Sequence, residues 1–258
     1  MRDVPILLFL VSAVALGLAT WAGASISRRR KNLDEQSRSD YTSVAGAILT
    51  LLGLIIGFTL SMAVSRYDLR KGYEEAEANA IGTEFVRADL LPAADARRLR
   101  ILLTNYVDLR IRDYQAGDDA EVRRLKAQTG QLQGQLWSAV RAPATAEPSP
   151  LTALAASGMN DVINAQGYSQ AAWWNRIPRS AWWLMAAVAV VGCALVGYGS
   201  QAFKTKAYFV WVLPATIAVS FFLIADIDSP RGGLIRVEPL NLEDVAQSIH
   251  ARVSAAPA

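Results

Sequence analysis

The chain has 258 residues, 52% of them apolar, with a formal net charge of +3 at pH 7. Basic and acidic residues are interspersed, so no basic stripe is formed and no nucleic-acid partner is expected. A single cysteine, Cys193, and a single histidine, His250, leave no material for an intrachain disulfide or a Cys/His metal cluster, and nothing near His250 supports a Ser/His/Asp engine.

Charge is unevenly spread. Four stretches, 4–27, 43–65, 180–203 and 207–225, contain no Asp, Glu, Lys or Arg. Each has close to the ~20 residues that a helix needs to cross a hydrocarbon core. The expected fold is all-α: a four-transmembrane-helix protein in a lipid bilayer, with a helical stalk inserted between helices 2 and 3. The first run, 4–27, is longer than the roughly 7–15 apolar residues of a signal-peptide core, and "SRRRK" follows it directly, so it predicts an uncleaved helix. A basic loop, 28–42, carries Arg28, Arg29, Arg30, Lys31 and Arg38, and the connection before the fourth run adds Lys204 and Lys206. The other side has Arg2, Arg66, Arg70, Lys71, Arg176, Arg179, Arg231 and Arg236 near helix ends. Seven face eight, and discounting charges in a long insert leaves a lean toward a cytoplasmic 28–42 loop.

In the second run, 43–65, Gly46, Thr50, Gly53, Gly57, Ser61 and Ser65 recur every three or four residues and make one small-residue face. Two readings stand: close helix packing in lipid, or a narrow pore-facing surface with a few hydroxyls. Residues 66–179 read as a water-exposed helical insert. The second helix runs on toward Pro92, and another follows with Asp95 as N-cap and an apolar face of Leu99, Leu102, Leu103, Tyr106 and Leu109. Further helices are expected over 119–140 and 151–172, joined by the linker "RAPATAEPSP". Glu74, Glu75, Glu77 and Glu84 with Asn79 read as a solvated or inter-subunit face, because a carboxylate di-metal bundle needs histidines that are missing here. "WWNRIPRSAWW" (173–183) reads as an interfacial anchor.

The third run, 180–203, has Ala186, Ala189, Cys193, Gly197 and Ser200 on one face, expected to meet the small face of the second run within a protomer or between protomers. In the fourth, 207–225, Pro214 predicts a kink. The segment 226–258 reads as a C-terminal tail that opens with "DIDSPRGG". Asp226 and Asp228 would point about 200° apart on a helix, and Ser229-Pro230 predicts that the helix has ended. The favoured reading is a charge cluster of Asp226, Asp228 and Arg231 with Arg66 and Arg70 at the exit of helix 2. A bound divalent cation and plain solvation are the alternatives.

"LLGLIIGFTLSMAVSRYDLRKGYEEAEANAIGTEFVRADLLP", "LLTNYVDLR", "RIPRSAWWLM" and "ADIDSPRGGLIRV" together resemble a bacterial membrane family described as bestrophin-like, of unknown function, over about residues 43–242. The resemblance implies a four-helix protein of the bacterial inner (plasma) membrane with a helical insert. A more distant likeness leads to true bestrophins, pentameric anion channels with a cytosolic helical domain. That likeness implies a homo-oligomer, small inorganic ions as partners and a stalk on the cytoplasmic side, the reverse of the charge lean. Bestrophins bind calcium through consecutive acids, which "DID" does not reproduce, so no calcium-site or pore residue is carried over.

The expected function is an oligomeric ion channel or transport protein. The alternative is a non-transporting membrane scaffold or sensor whose helical stalk binds a partner protein. A membrane enzyme is not expected: no nucleophile or general base accompanies the aspartates, and no catalytic residue, metal or cofactor is assigned. The absence of charge in mid-membrane argues against a proton-coupled transporter.

Overall fold

The computed structural model describes residues 5–29, 35–199 and 208–255, and among these there are helices and short connections but no strand. The helices are α1 (Pro5–Arg29), α2 (Glu35–Arg87), α3 (Ala93–Gln115), α4 (Asp119–Ala146), α5 (Pro150–Trp174), α6 (Arg179–Gly199), α7 (Tyr208–Asp228) and α8 (Leu240–Ala255). Four helical stretches, in α1, α2, α6 and α7, are long and apolar enough to cross a membrane. Arg2, Arg30, Lys31, Ser200, Lys204 and Lys206 lie outside the described residues, as do the side chains of Arg28, Arg29 and Arg38.

The chain forms two compact units. Unit 1 takes residues up to Arg66 together with Arg176–Arg236, and unit 2 takes Tyr67–Asn175 with Val237–Ala258.

In unit 1, α1 packs along α6 and α7. The α1–α6 contact is backbone to backbone. A Cβ on Gly23 would collide with the Ala194 carbonyl, and one on Gly197 with the Thr20 carbonyl. Within the protomer the small face of α6 therefore meets α1 and not the small face of α2, and Ala189, Cys193 and Gly197 are buried there. Small residues serve this purpose in lipid, where dispersion between closely approaching backbones replaces the hydrophobic effect. Pro214 lies inside α7, which continues through it to Asp228.

α2 has 53 residues, far more than the ~20 that a helix needs to cross a hydrocarbon core. Its uncharged part is 43–65; beyond that charges return, densely from Arg66 to Glu77 and again at Glu84 and Arg87. Ala45, Leu52, Thr59 and Ala63 are buried, with Leu49, Ile56 and Leu60 partly so, a seam with steps of three and four residues. Against α6, Leu49 and Ile48 lie over Gly192.

Unit 2 is built from the C-terminal part of α2 with α3, α4, α5 and α8. Its core joins Ile81 and Phe85, Leu99, Leu103 and Tyr106, Leu136 and Val140, Met159 and Val162, and Leu242 and Ile249. Leu99, Leu103, Tyr106 and Leu109 lie on the buried face of α3. α5 starts with a capping box, Ser149 and Thr152 each bonding the other's backbone N–H, and with Pro150 in its first turn.

Four expectations about element boundaries are corrected. The loop expected over 28–42 is helical from Glu35 onward. Asp95 is in the first turn of α3, and Pro92 holds the N-cap position. The linker expected over 141–150 is mostly helix: α4 runs through Pro143 to Ala146, with the Glu147 N–H bonded to the Pro143 carbonyl at 2.9 Å. The expected tail 226–258 contains α8, whose residues Leu242, Ala246 and Ile249 supply a buried face to unit 2.

Candidate functional site

Two places carry the residues singled out by the sequence: the small-residue face of α2 and the turn that follows α7.

Gly46, Thr50, Gly53, Gly57, Ser61 and Ser65 are all exposed in the protomer. A Cβ on Gly46, Gly53 or Gly57 would meet nothing within 4 Å among the described residues. The face lies one residue on from the buried seam at each turn, hence about 100° around the helix. Thr50 spends its hydroxyl on its own helix, donating to the Gly46 carbonyl at 2.9 Å. Beside the stripe, Leu51, Leu54, Phe58 and Met62 are exposed too. In one protomer, the half of α2 that carries the stripe is therefore open.

At the end of α7, helix persists through both aspartates, so the helix has not ended before Asp226 as expected. Being two residues apart, the carboxylates face different ways and have different partners. The Asp226 oxygens accept the backbone N–H groups of Leu234 at 2.7 Å and Ile235 at 2.9 Å. The turn folds so tightly around this carboxylate that a Cβ on Gly233 would lie 2.5 Å from the Asp226 carbonyl oxygen, which only glycine permits. The Asp228 oxygens both accept the Ile177 N–H at 3.2 Å, holding the approach to α6 beside the exit of α7. The Arg66 guanidinium lies 3.8 Å from Asp228. Arg231 is half-buried in the same turn, and Arg70 is buried in unit 2. The two carboxylates thus staple two backbone segments instead of converging on one point. Among the described residues no group of three or more His, Cys, Asp or Glu is placed to hold a metal ion.

Unit 2 adds a set of residues that the sequence reading placed on a solvated or inter-subunit face. Glu74, Glu77 and Glu84 are buried, while Glu75 and Asn79 are exposed. Glu77 accepts Arg110 Nε at 2.5 Å, Ser169 Oγ at 2.9 Å and Tyr114 Oη at 3.5 Å. Arg110 also donates to Asp113 at 2.7 Å. Burial raises the Tyr114 phenol well above its ordinary range, and the Glu77 charge beside it adds to this, so Tyr114 acts as a donor. Glu74 accepts the Leu242 N–H at 2.9 Å and Asn241 Nδ2 at 2.6 Å, capping the first turn of α8 with a carboxylate. The signal for these positions was present: 70, 74, 77, 81, 84 and 88 continue on α2 the three-and-four spacing of 45, 49, 52, 56, 59 and 63.

Such an assembly of long helices, with four stretches apolar enough to cross a bilayer and a polar-seamed helical unit, defines an all-helical membrane protein. A family model for the Bestrophin-like domain matches residues 9–242, and the chain belongs to the Bestrophin-like family. Its fold is similar to that of a bacterial bestrophin homologue from Klebsiella pneumoniae, at 14% identity over 98% of this chain and 99% of that chain, with a TM-score of 0.66. A single-residue variant of the Klebsiella pneumoniae homologue is similar at 15% identity over 96% of this chain and 97% of that chain, with a TM-score of 0.63. None of the curated proteins matches the chain.

Proposed function

We propose that the chain is one protomer of an oligomeric ion channel of the bacterial inner membrane, with small inorganic ions as its cargo. The observation that carries this reading is the open small-residue face of α2, with Gly46, Gly53 and Gly57 facing empty space in the protomer. Small residues let a second helix approach closely in lipid, and a stripe of them with a few hydroxyls also suits a narrow conduit. Family membership supports the same reading, since bestrophins are anion channels. It also favours their arrangement, with the helical insert as a cytosolic stalk and the 28–42 segment on the outer side. The near-even basic count does not outweigh that.

The test is ion flux from liposomes holding the purified protein. Flux in the wild type, lost when Gly53→Leu breaks the oligomer, is the expected outcome. A well-formed oligomer that passes no ion would instead favour a non-transporting scaffold whose stalk binds a partner protein.

A further inference from the structure

Glu84 lacks the kind of partners that Glu74 and Glu77 have. It sits on the buried seam of α2 in unit 2, 19 residues past the uncharged 43–65 segment. Its relative exposure is 0%, and neither carboxyl oxygen has a hydrogen-bond partner among the described residues. Opposite it α5 presents Gly158, where a Cβ would collide with Glu84 Oε2 and with the Arg87 guanidinium. The carboxyl therefore rests directly on the α5 backbone. An ionised carboxylate loses its water in such a place and gains no donor, so it takes up a proton instead.

Two charged groups face it: Arg87, one turn further along α2, and Asp161, on α5 close to Gly158. Arg87 makes no hydrogen bond to Glu84, and its Nη1 lies 3.8 Å from Asp161 Oδ2, linking α2 to α5. Burial, the largest influence, outweighs the pull of Arg87, and the Glu84 carboxyl is pushed up to about 8.

We propose that Glu84 is a proton-binding site whose occupancy decides where Arg87 points. With the proton on, the neutral carboxyl packs against Gly158 and Arg87 bridges to Asp161. When the O–H bond breaks and the proton leaves to solvent, the new carboxylate draws Arg87 back along α2 and the bridge to α5 is given up. The seam between α2 and α5 then responds to pH near neutrality. This does not rest on the channel reading, because its readout is stability.

The experiment is thermal unfolding of the intact protein in detergent between pH 5 and pH 9.5, for wild type, Glu84→Gln and Asp161→Asn. A carboxyl raised in the folded state contributes stability that is complete below its ordinary value of 4.5 and is lost as pH rises through about 8. Glutamine mimics the protonated acid and has no such slope. Glu84→Gln should therefore match wild type near pH 5, exceed its Tm by a margin that widens up to about pH 8, and hold that margin above. Asp161→Asn should lower Tm at pH 6 and do so less at pH 9.5, where wild type has already lost the bridge. A Glu84→Gln protein less stable than wild type at pH 7, with a gap closing toward pH 5, would mean an ionised Glu84 paired with Arg87 and would overturn the proposal. So would an Asp161→Asn effect equal at all pH values. If Glu84→Gln fails to fold, wild type alone decides: the infrared band of a protonated carboxyl must be present at pH 7 and gone at pH 9.5.

Discussion

Arg110 and Glu77 are about as deeply buried as charged side chains become. Arg110→Ala strands the Glu77 carboxylate with only hydroxyl donors, Ser169 and Tyr114. The expected loss is about 3–5 kcal/mol, read by denaturant or thermal unfolding. Arg110→Lys should recover little of it, because Glu77 and Asp113 are reached by separate arms of a planar fork. At the end of α7, Asp228→Asn should lower Tm in detergent, and adding Arg66→Gln should lower it little further, since the pair is already broken. Losses that sum in full would mean that the two residues are not coupled. Asp226, by contrast, should show no coupling to Arg66, because its oxygens are occupied by Leu234 and Ile235.

Glycines on three helices separate two roles that composition alone merges. On α1 and α6, Gly23 and Gly197 lie against backbone, so Gly197→Ala should cost the protomer its fold, seen as aggregation on a sizing column after extraction. On α2, Gly53 and Gly57 lie in open space, so Gly53→Leu should leave helix content intact yet abolish the oligomer, while Leu51→Ala leaves both unchanged. An unchanged oligomer in Gly53→Leu and Gly57→Leu would remove the open stripe as an assembly or pore surface. Which stripe met which helix was not legible in the sequence, since small residues at three-and-four spacing look alike whether they touch a chain neighbour, another copy or nothing. The four apolar runs were legible because the absence of charge over a bilayer's width has few other causes. The buried carboxylates were missed for a physical reason: the spacing continued, but glutamate at those positions reads as solvated unless its donors are known, and Arg110 and Leu242 lie far along the chain from Glu77 and Glu74.

Both units are discontinuous in sequence, each made of two segments. If the orientation proposed above holds, Ser37 and Gly117 fall on opposite sides of the bilayer. In a Cys193→Ser background, cysteine at Ser37 should react with a membrane-impermeant thiol reagent in whole cells and cysteine at Gly117 should resist it. The reverse pattern would restore the orientation favoured by the charge count. The capping of α8 by Glu74 sets an order of events during synthesis. The Leu242 N–H is 168 residues downstream of the carboxylate it satisfies, and residues 176–236, with the last two apolar runs, come in between. At ribosomal speeds of about 5–20 residues per second, Glu74 waits roughly ten to thirty seconds for its partner. Over that interval the nascent unit 2 has an unfilled groove where Leu242, Ala246 and Ile249 will lie. A chain stopped before residue 240 would keep that groove open for good, a ready target for chaperones and proteases, and pulse-chase turnover of such a truncation should be several-fold faster than that of the full chain.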